Sequence, residues 1–279
     1  MTKPIIDKKQ VAANRARAER LAVPGADVLF ARALDELSDR LAVVRRDFAR
    51  ALAVGPLAER VCARLAASGK VAKAEPAVVD EAEVLVADPR SADLIVSLMH
   101  LHQVDDVPGL LIQMRRVLEP DGLLLACVPA SGTLAELRKS LLEAETAVTG
   151  GASPRVLPFM DVRDAGALLQ RAGLAMPVTD TDAIDVRYDT MFDLMADLRA
   201  MGATNTLLAR RRNPTPRRVF FEAERRYADD HADPDGRVRA SFAFVWMSGW
   251  APSESQPRPL APGSATHSLA DALKDRSGG

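Results

Sequence analysis

His100 and His102, followed closely by Asp105 and Asp106, place four proton-moving or metal-binding side chains within seven residues of this 279-residue chain. Histidine is the commonest general base because its unperturbed pKa lies near neutrality. His102 is therefore the candidate catalytic residue, and it reads equally as a histidine that hydrogen-bonds a loop and positions it. Two histidines and a carboxylate are also the donor set of a facial iron site. His100-x-His102 with Asp105 or Asp106 matches that set only weakly, and no metal is expected. The two aspartates are better explained as acids at the start of a helix, with Pro108 in its first turn. Cys62 and Cys127 have no metal-ligand spacing and read as buried thiols in a reducing compartment. Arg210, Arg211, Arg212, Arg217 and Arg218 could meet phosphate or an acidic partner, and a solvated helix face explains them as well.

The elements that must position these residues centre on Asp93 to Val128. Asp93 to Met99 is a short apolar run of the kind buried on both faces of a sheet. Leu110, Leu111, Met114, Val117 and Leu118 repeat at helical spacing, Glu119-Pro120-Asp121-Gly122 reads as a turn, and Leu123 to Val128 is the next buried strand. His102 thus falls just past a strand, at the carboxyl edge where ligands of open α/β sheets gather. Ahead of this unit, residues 1–45 are helical, with a stripe of Val28, Leu29, Ala33, Leu34, Leu37, Leu41 and Val44. A strand over Ala49–Gly55, a helix over Leu57–Ala67 and a strand over Val71–Ala74 follow. The last ends at Glu75-Pro76, before a helical turn around Val78–Ala82 and a third strand at Val84–Ala87. Beyond Pro129 come a helix to Val148, with Thr133 and Glu136 at capping-box spacing, and a helix over Asp161–Ala172. A strand over Val178–Tyr188, helices near 190–201 and 215–229, and a strand over Ser241–Trp250 complete the pattern. The organisation is an N-terminal helical segment (1–45), a Rossmann-like α/β domain (46–250) and a Pro/Ser-rich arm (251–279).

Composition limits the function. Hydrophobic residues are 48% and charged residues 27% of the chain, ordinary for a globular protein, and the formal net charge of -1 argues against a dedicated nucleic-acid binder. No apolar run approaches the roughly 20 residues of a membrane-spanning helix. The first residues lack the apolar core of a secretory signal, so a cytoplasmic protein is expected.

Several stretches in order resemble one family. They include Ser97, Leu101-His102 with Asp106-Val107-Pro108-Gly109, Leu118 to Gly122, Thr133 to Arg138, Gly150 to Arg155 and Pro158-Phe159. Asp164 to Gly173, Asp197 to Gly202 with Asn205, and Gly249-Trp250 through Glu254-Ser255-Gln256, Pro259 and Gly263 to Thr266 continue the match, with Ile6-Asp7 and Arg15 to Ala18 weaker at the start. Together they resemble the methyltransferase-like complex I assembly factors of mitochondria and their alphaproteobacterial relatives. The malonyl-carrier-protein methyltransferase of biotin synthesis is a more distant likeness.

The resemblance implies a class I S-adenosylmethionine-dependent methyltransferase fold: a mostly parallel seven-stranded sheet with helices on both faces, here with a helical cap and an extended tail. In that fold an acidic-x-Gly-x-Gly-x-Gly loop lets backbone approach the cofactor. The corresponding residues are Ala53, Val54, Gly55, Pro56, Leu57, Ala58 and Glu59, so Gly55 alone remains. Leu57 and Glu59 put side chains where bare backbone is needed, and Ala53 lacks the carboxylate. Losing two hydrogen bonds to charged groups weakens binding by about 3 to 6 kcal/mol. Glu75 is the candidate for the ribose-binding acid ending strand two, or a turn former beside Pro76, and Asp88 is the candidate near the adenine. The implied role is binding without S-adenosylmethionine: an assembly factor for a respiratory complex I-type partner, or a subunit partner, with a homodimer also open. The alternatives are an active S-adenosylmethionine-dependent methyltransferase on a protein or carrier-bound acid, and an arginine-hydroxylase-like enzyme. The arm from Ala251 is too polar for a core and is expected to fold over a sheet edge or engage the partner.

Overall fold

The computed structural model describes residues 4–257. Helices α1 (Lys8–Leu21) and α2 (Val28–Val43) precede the sheet. Asp7 caps α1 by accepting a hydrogen bond from the Gln10 amide, which satisfies one of the first-turn donors that lack a partner within the helix. α2 turns Phe30, Ala33, Leu34, Leu37 and Leu41 into the core, while Val28 at its start stays exposed.

Strands β1 (Phe48–Val54), β2 (Val71–Val79), β3 (Leu85–Val86), β4 (Ala92–Leu98), β5 (Leu118–Pro129), β6 (Ala175–Tyr188) and β7 (Val238–Trp250) form one sheet in the order β3-β2-β1-β4-β5-β7-β6. Between them run α3 (Ala58–Ala67), α4 (Val107–Val117), α5 (Ala135–Thr149), α6 (Val162–Arg171), α7 (Met191–Ala200) and α8 (Arg217–His231). Every residue of β4 is buried, as a central strand covered on both faces must be. Leu94, Val96 and Leu98 enter one core with α2, α3, α5, α7 and α8. Ile95, on the opposite face, enters a second core with α4 and α6. Asp93 fixes the neighbouring strand's start, accepting from the Ala49 and Arg50 amides at 2.7 and 2.9 Å.

The sheet is more mixed than a mostly parallel one. The pairings β1–β2, β1–β4 and β4–β5 are parallel, whereas β2–β3, β5–β7 and β6–β7 are antiparallel. The unexpected reversal is at β3, and chain length explains it. A parallel crossover needs a dozen or more residues, but only residues 80–84 separate β2 from β3. The expected helical turn around Val78–Ala82 is instead strand and tight turn, closed by Asp80 Oδ1 accepting from the Val84 amide at 2.8 Å. β2 does not stop at Glu75-Pro76. It continues to Val79, and proline is tolerated because on its outer side β2 is paired only at Val78 and Val79.

Two other local expectations give way to longer-range bonds. The turn at Glu119–Gly122 is absorbed into β5, with Asp121 at φ 63°. The Thr133–Glu136 capping box does not form, because β7 takes both side chains: the Thr133 hydroxyl donates to the Ala243 carbonyl at 2.8 Å and Glu136 accepts from the Ser241 hydroxyl. After β7 the chain stays beside the start of β5, with the Gln256 amide donating to Asp121 Oδ1 at 2.9 Å. That is the amino edge of the sheet, opposite the strand ends where His102 lies. The remainder of the arm, including Pro259 and Gly263 to Thr266, lies outside the described residues.

Candidate functional site

A cavity of about 400 Å³ opens over the carboxyl ends of β1, β4 and β5, where Pro56, Leu57, Met99, His102, Gln103 and Pro129 meet. Its floor comes from the segments that leave these strands. Its roof is α1, the start of α2 and residues 198–206, through Val11, Arg15, Phe30 and Met201 among others. The lining is chiefly apolar.

A chain of polar contacts holds the roof down. Glu83, in the β2–β3 turn, pairs with Lys8 at 2.7 Å and accepts from the Asp105 and Asp106 amides at 2.8 Å each. Burial works against the Glu83 charge, but Lys8 and the two amides outweigh it and leave the pKa below the ordinary glutamate value. Asp105 in turn accepts from the Ile5 and Ile6 amides at 2.8 and 3.1 Å. Asp106 caps α4 through the Gly109 amide. Only Asp106, then, is the helix-start acid expected of both; Asp105 ties down the N-terminal segment. Farther along, Asp7 pairs with Arg210 at 2.8 Å and Arg212 at 3.3 Å, and Asn14 donates to the Thr204 carbonyl at 2.8 Å. Arg211 goes to Glu145 at 3.3 Å. These three arginines are thus spent on internal pairing.

His102 sits in a single 3₁₀ turn, Leu101–Gln103, directly after β4. Its ring meets Phe159 edge-on at 6.2 Å, and its Nδ1 is buried with no partner among the described residues. Burial, then the neighbouring His100, pushes its pKa down to about 3, so the ring is neutral at physiological pH. A loop-fixing hydrogen bond at Nδ1 is not what the structure has. Both ring nitrogens of His100 are buried and without a partner among the described residues. Burial and then the Arg15 charge bring its pKa down to about 4.

His100 also defines what has become of the glycine loop. Gly55 has φ 127°, and a Cβ added there would lie 2.8 Å from the Cβ of His100. The space that this glycine leaves open is filled by protein. Leu57 lines the cavity, whereas Glu59 is exposed on the first turn of α3 and Ala53 is fully buried in the sheet. Glu75 does not end β2. It lies opposite Leu52 inside the strand and pairs with Arg50 at 3.1 Å and Lys73 at 2.9 Å. Asp88 is exposed after β3, where its carbonyl accepts from Ser91. Of the sequence candidates, Leu57 and His102 line the cavity and Gly55 adjoins it, while Ala53, Glu59, Glu75 and Asp88 do not line it. No three His, Cys, Asp or Glu side chains among the described residues are grouped to hold a metal ion.

Arg15 is the site residue that sequence reasoning missed. It lines the cavity, and its one side-chain hydrogen bond among the described residues is a long 3.5 Å contact from Nη2 to Gln103 Oε1. It makes no ion pair among the described residues, and burial lowers its pKa from the usual arginine value. On sequence it belongs to a polar helix indistinguishable from a solvated one.

Residues 18–177 match a family defined by a methyltransferase domain. The human mitochondrial arginine-hydroxylase NDUFAF5 is 40% identical over 197 residues, covering 71% of this chain and 57% of that protein. The Dictyostelium discoideum protein of the same name is 41% identical over 179 residues, covering 64% and 41%. The malonyl-[acyl-carrier protein] O-methyltransferase of Laribacter hongkongensis is 32% identical over 192 residues, covering 69% and 62%. The matches thus span roughly two-fifths to three-fifths of these relatives' own lengths. In fold, the YcgJ protein of Bacillus subtilis superposes with a TM-score of 0.51 at 14% identity, covering 80% of this chain and 99% of that one.

Proposed function

The chain belongs to the methyltransferase-domain family, and from that premise we propose that it is a binding or assembly factor, acting in the cytoplasm, in which the class I methyltransferase scaffold no longer serves S-adenosylmethionine. The observation that carries this reading is His100 packed into the space above Gly55, 2.8 Å from where a Cβ would be. Bare glycine backbone at this bend is useful to a cofactor only when nothing else occupies the space in front of it. The remaining donors fit the cofactor no better. Glu75 is engaged by Arg50 and Lys73 on the strand, and Asp88 is exposed away from the cavity. Pro56 removes an amide, and Leu57 turns the loop toward an apolar lining.

The partner class follows from kinship. The arginine-hydroxylase name of the NDUFAF5 relatives and the resemblance to complex I assembly factors support a respiratory complex I-type protein partner. Hydroxylation is the second reading, carried by the name of the NDUFAF5 relatives; among the described residues His100, His102, Asp105 and Asp106 are not grouped as the facial triad of an iron site would be.

Calorimetric titration with S-adenosylmethionine and S-adenosylhomocysteine tests the reading. No binding is expected at millimolar ligand, and micromolar affinity would restore the active methyltransferase on a protein or carrier-bound acid. Affinity capture from the native host should enrich complex I subunits, and their absence from both soluble and membrane extracts would remove the assembly role.

A further inference from the structure

We propose that the cavity above β1, β4 and β5 binds a small amphiphile, a molecule with an apolar body and one terminal carboxylate, with the carboxylate held by Arg15 beside Gln103 and His102. This rests on the reading that the cavity is not given over to S-adenosylmethionine.

The volume sets the class of occupant. About 400 Å³ lies within the range of small-molecule pockets, roughly 300 to 1,000 Å³. A folded partner's face needs a broad surface rather than a pocket of this volume. The wall chemistry sets the body of the ligand, since Phe30, Leu57, Phe159 and Phe242 contribute apolar surface from four separate segments. Nothing in such a lining rewards a polar ligand along most of its length.

Arg15 sets the head. Arg15 brings a guanidinium into this lining without an ion-pair partner among the described residues, its sole hydrogen bond being the 3.5 Å contact to Gln103. Arg15 is half-buried, and exposed Glu19 on the same helix acts on it only through its charge, without an ion pair among the described residues; a carboxylate would match the guanidinium fork with two parallel hydrogen bonds. His102 lines the cavity wall with a neutral ring, a neighbour that adds no second charge beside Arg15. The other cavity cation, Arg60, is already paired with Asp27 near the exposed mouth. With Arg60 paired and Glu19 a further cavity-lining carboxylate, the interior offers a single unpaired positive charge beside a negative one, which suits a monoanionic carboxylate better than a phosphate carrying up to two.

Equilibrium binding of octanoate, 1-octanol and octyl phosphate to the full chain tests the assignment. Octanoate should bind saturably, with the alcohol and the phosphate at least tenfold weaker. Arg15→Leu should weaken octanoate at least tenfold while leaving octanol unchanged, and Arg15→Lys should fall between, because loss of a charged hydrogen bond is worth tenfold or more. Equal affinity for octanoate and octanol overturns the role of Arg15, and tighter octyl phosphate overturns the choice of carboxylate. Absence of saturable octanoate binding overturns the whole inference and leaves the partner-binding reading intact. Displacement of octanoate by micromolar S-adenosylmethionine has the opposite consequence: it keeps the cavity as a ligand site and defeats the reading on which the amphiphile rests. Should Arg15→Leu fail to fold, the comparison of octanoate with octanol on the native chain decides the matter alone.

Discussion

The packing of His100 against Gly55 can be measured by a double-mutant cycle. Gly55→Ala places a methyl carbon at φ 127°, where L-residues are strained, and 2.8 Å from the His100 Cβ and 3.1 Å from its Cγ. Backbone strain of this kind costs about 1–3 kcal/mol, and overpacking a filled space costs about 1–3 kcal/mol more. The single substitution should therefore destabilise the protein by about 2–6 kcal/mol, a large share of the 5–15 kcal/mol typical of folded proteins. His100→Ala would not relieve the contact, because alanine keeps the Cβ that is nearest. His100→Gly removes it. In that background Gly55→Ala should retain only the backbone strain, and the difference between backgrounds, about 1–3 kcal/mol, is the interaction. Urea denaturation followed by fluorescence is a suitable assay, since both tryptophans, Trp246 and Trp250, lie in β7 and report on the sheet. If Gly55→Ala costs the same in both backgrounds to within about 0.5 kcal/mol, His100 does not fill the glycine's space and the argument against cofactor binding loses its main support.

Three further outcomes are expected. Burial opposes the charge of Glu145, yet Arg155 at 2.9 Å and Ser153 hold its pKa down to about 2. A depressed carboxylate stabilises above its unfolded pKa and loses that contribution as pH falls through its folded value. Glu145→Gln should thus cost about 3 kcal/mol at pH 7, with the deficit shrinking between pH 5 and pH 2 in urea titrations. Glu83→Gln should weaken the bond from the β2–β3 turn to Lys8 and the Asp105 and Asp106 amides, raising hydrogen exchange at those amides and at Ile5 and Ile6 while the β4 amides stay protected. Ala53→Asp, the obvious step toward rebuilding a cofactor loop, buries a carboxylate at a position with no exposure. It should lower stability by about 3 kcal/mol or more, and a wild-type melting temperature would show that the strand end is wetter than it looks.

Features that depend on local chemistry were legible in the sequence. The strand, helix and strand from Asp93 to Val128 appear as read, except that β5 takes in the turn expected at Glu119–Gly122, because their signals are close together: an apolar run, an aspartate cap, a proline in the first turn and a 3.6-residue repeat. His102 lies at the carboxyl edge because the end of β4 could be located. Features that depend on a distant partner were hidden. Pro76 reads as a strand terminator, and only the position of β2 near the sheet's edge shows why the strand runs through it. Gly55 reads as a turn glycine, but nothing within ten residues of it indicates that His100 presses on it. Arg15 sits on a helix whose only buried residue is Asn14, so its hydropathy pattern is that of a solvated helix. Its position over the cavity follows from anchors at Thr204, Arg210 and Glu83, far away in the chain.

The shortness of the β2–β3 connection also bears on how the cavity is closed. Residues 80–84 are too few for a crossover helix, so that corner of the sheet carries no helix of its own. The turn instead sends Glu83 inward, where one carboxylate meets Lys8 from α1 and the amides of Asp105 and Asp106 that lead into α4. The N-terminal segment thereby becomes the cover of the carboxyl edge, pinned at Glu83 on one side and at Arg210 and Arg212 on the other. Because Arg15 rides on this cover, the charge that gives the cavity its selectivity and the element that closes it are the same helix. A ligand that engages Arg15 stabilises the closed arrangement, and a substitution that frees α1 weakens that ligand without touching the cavity wall.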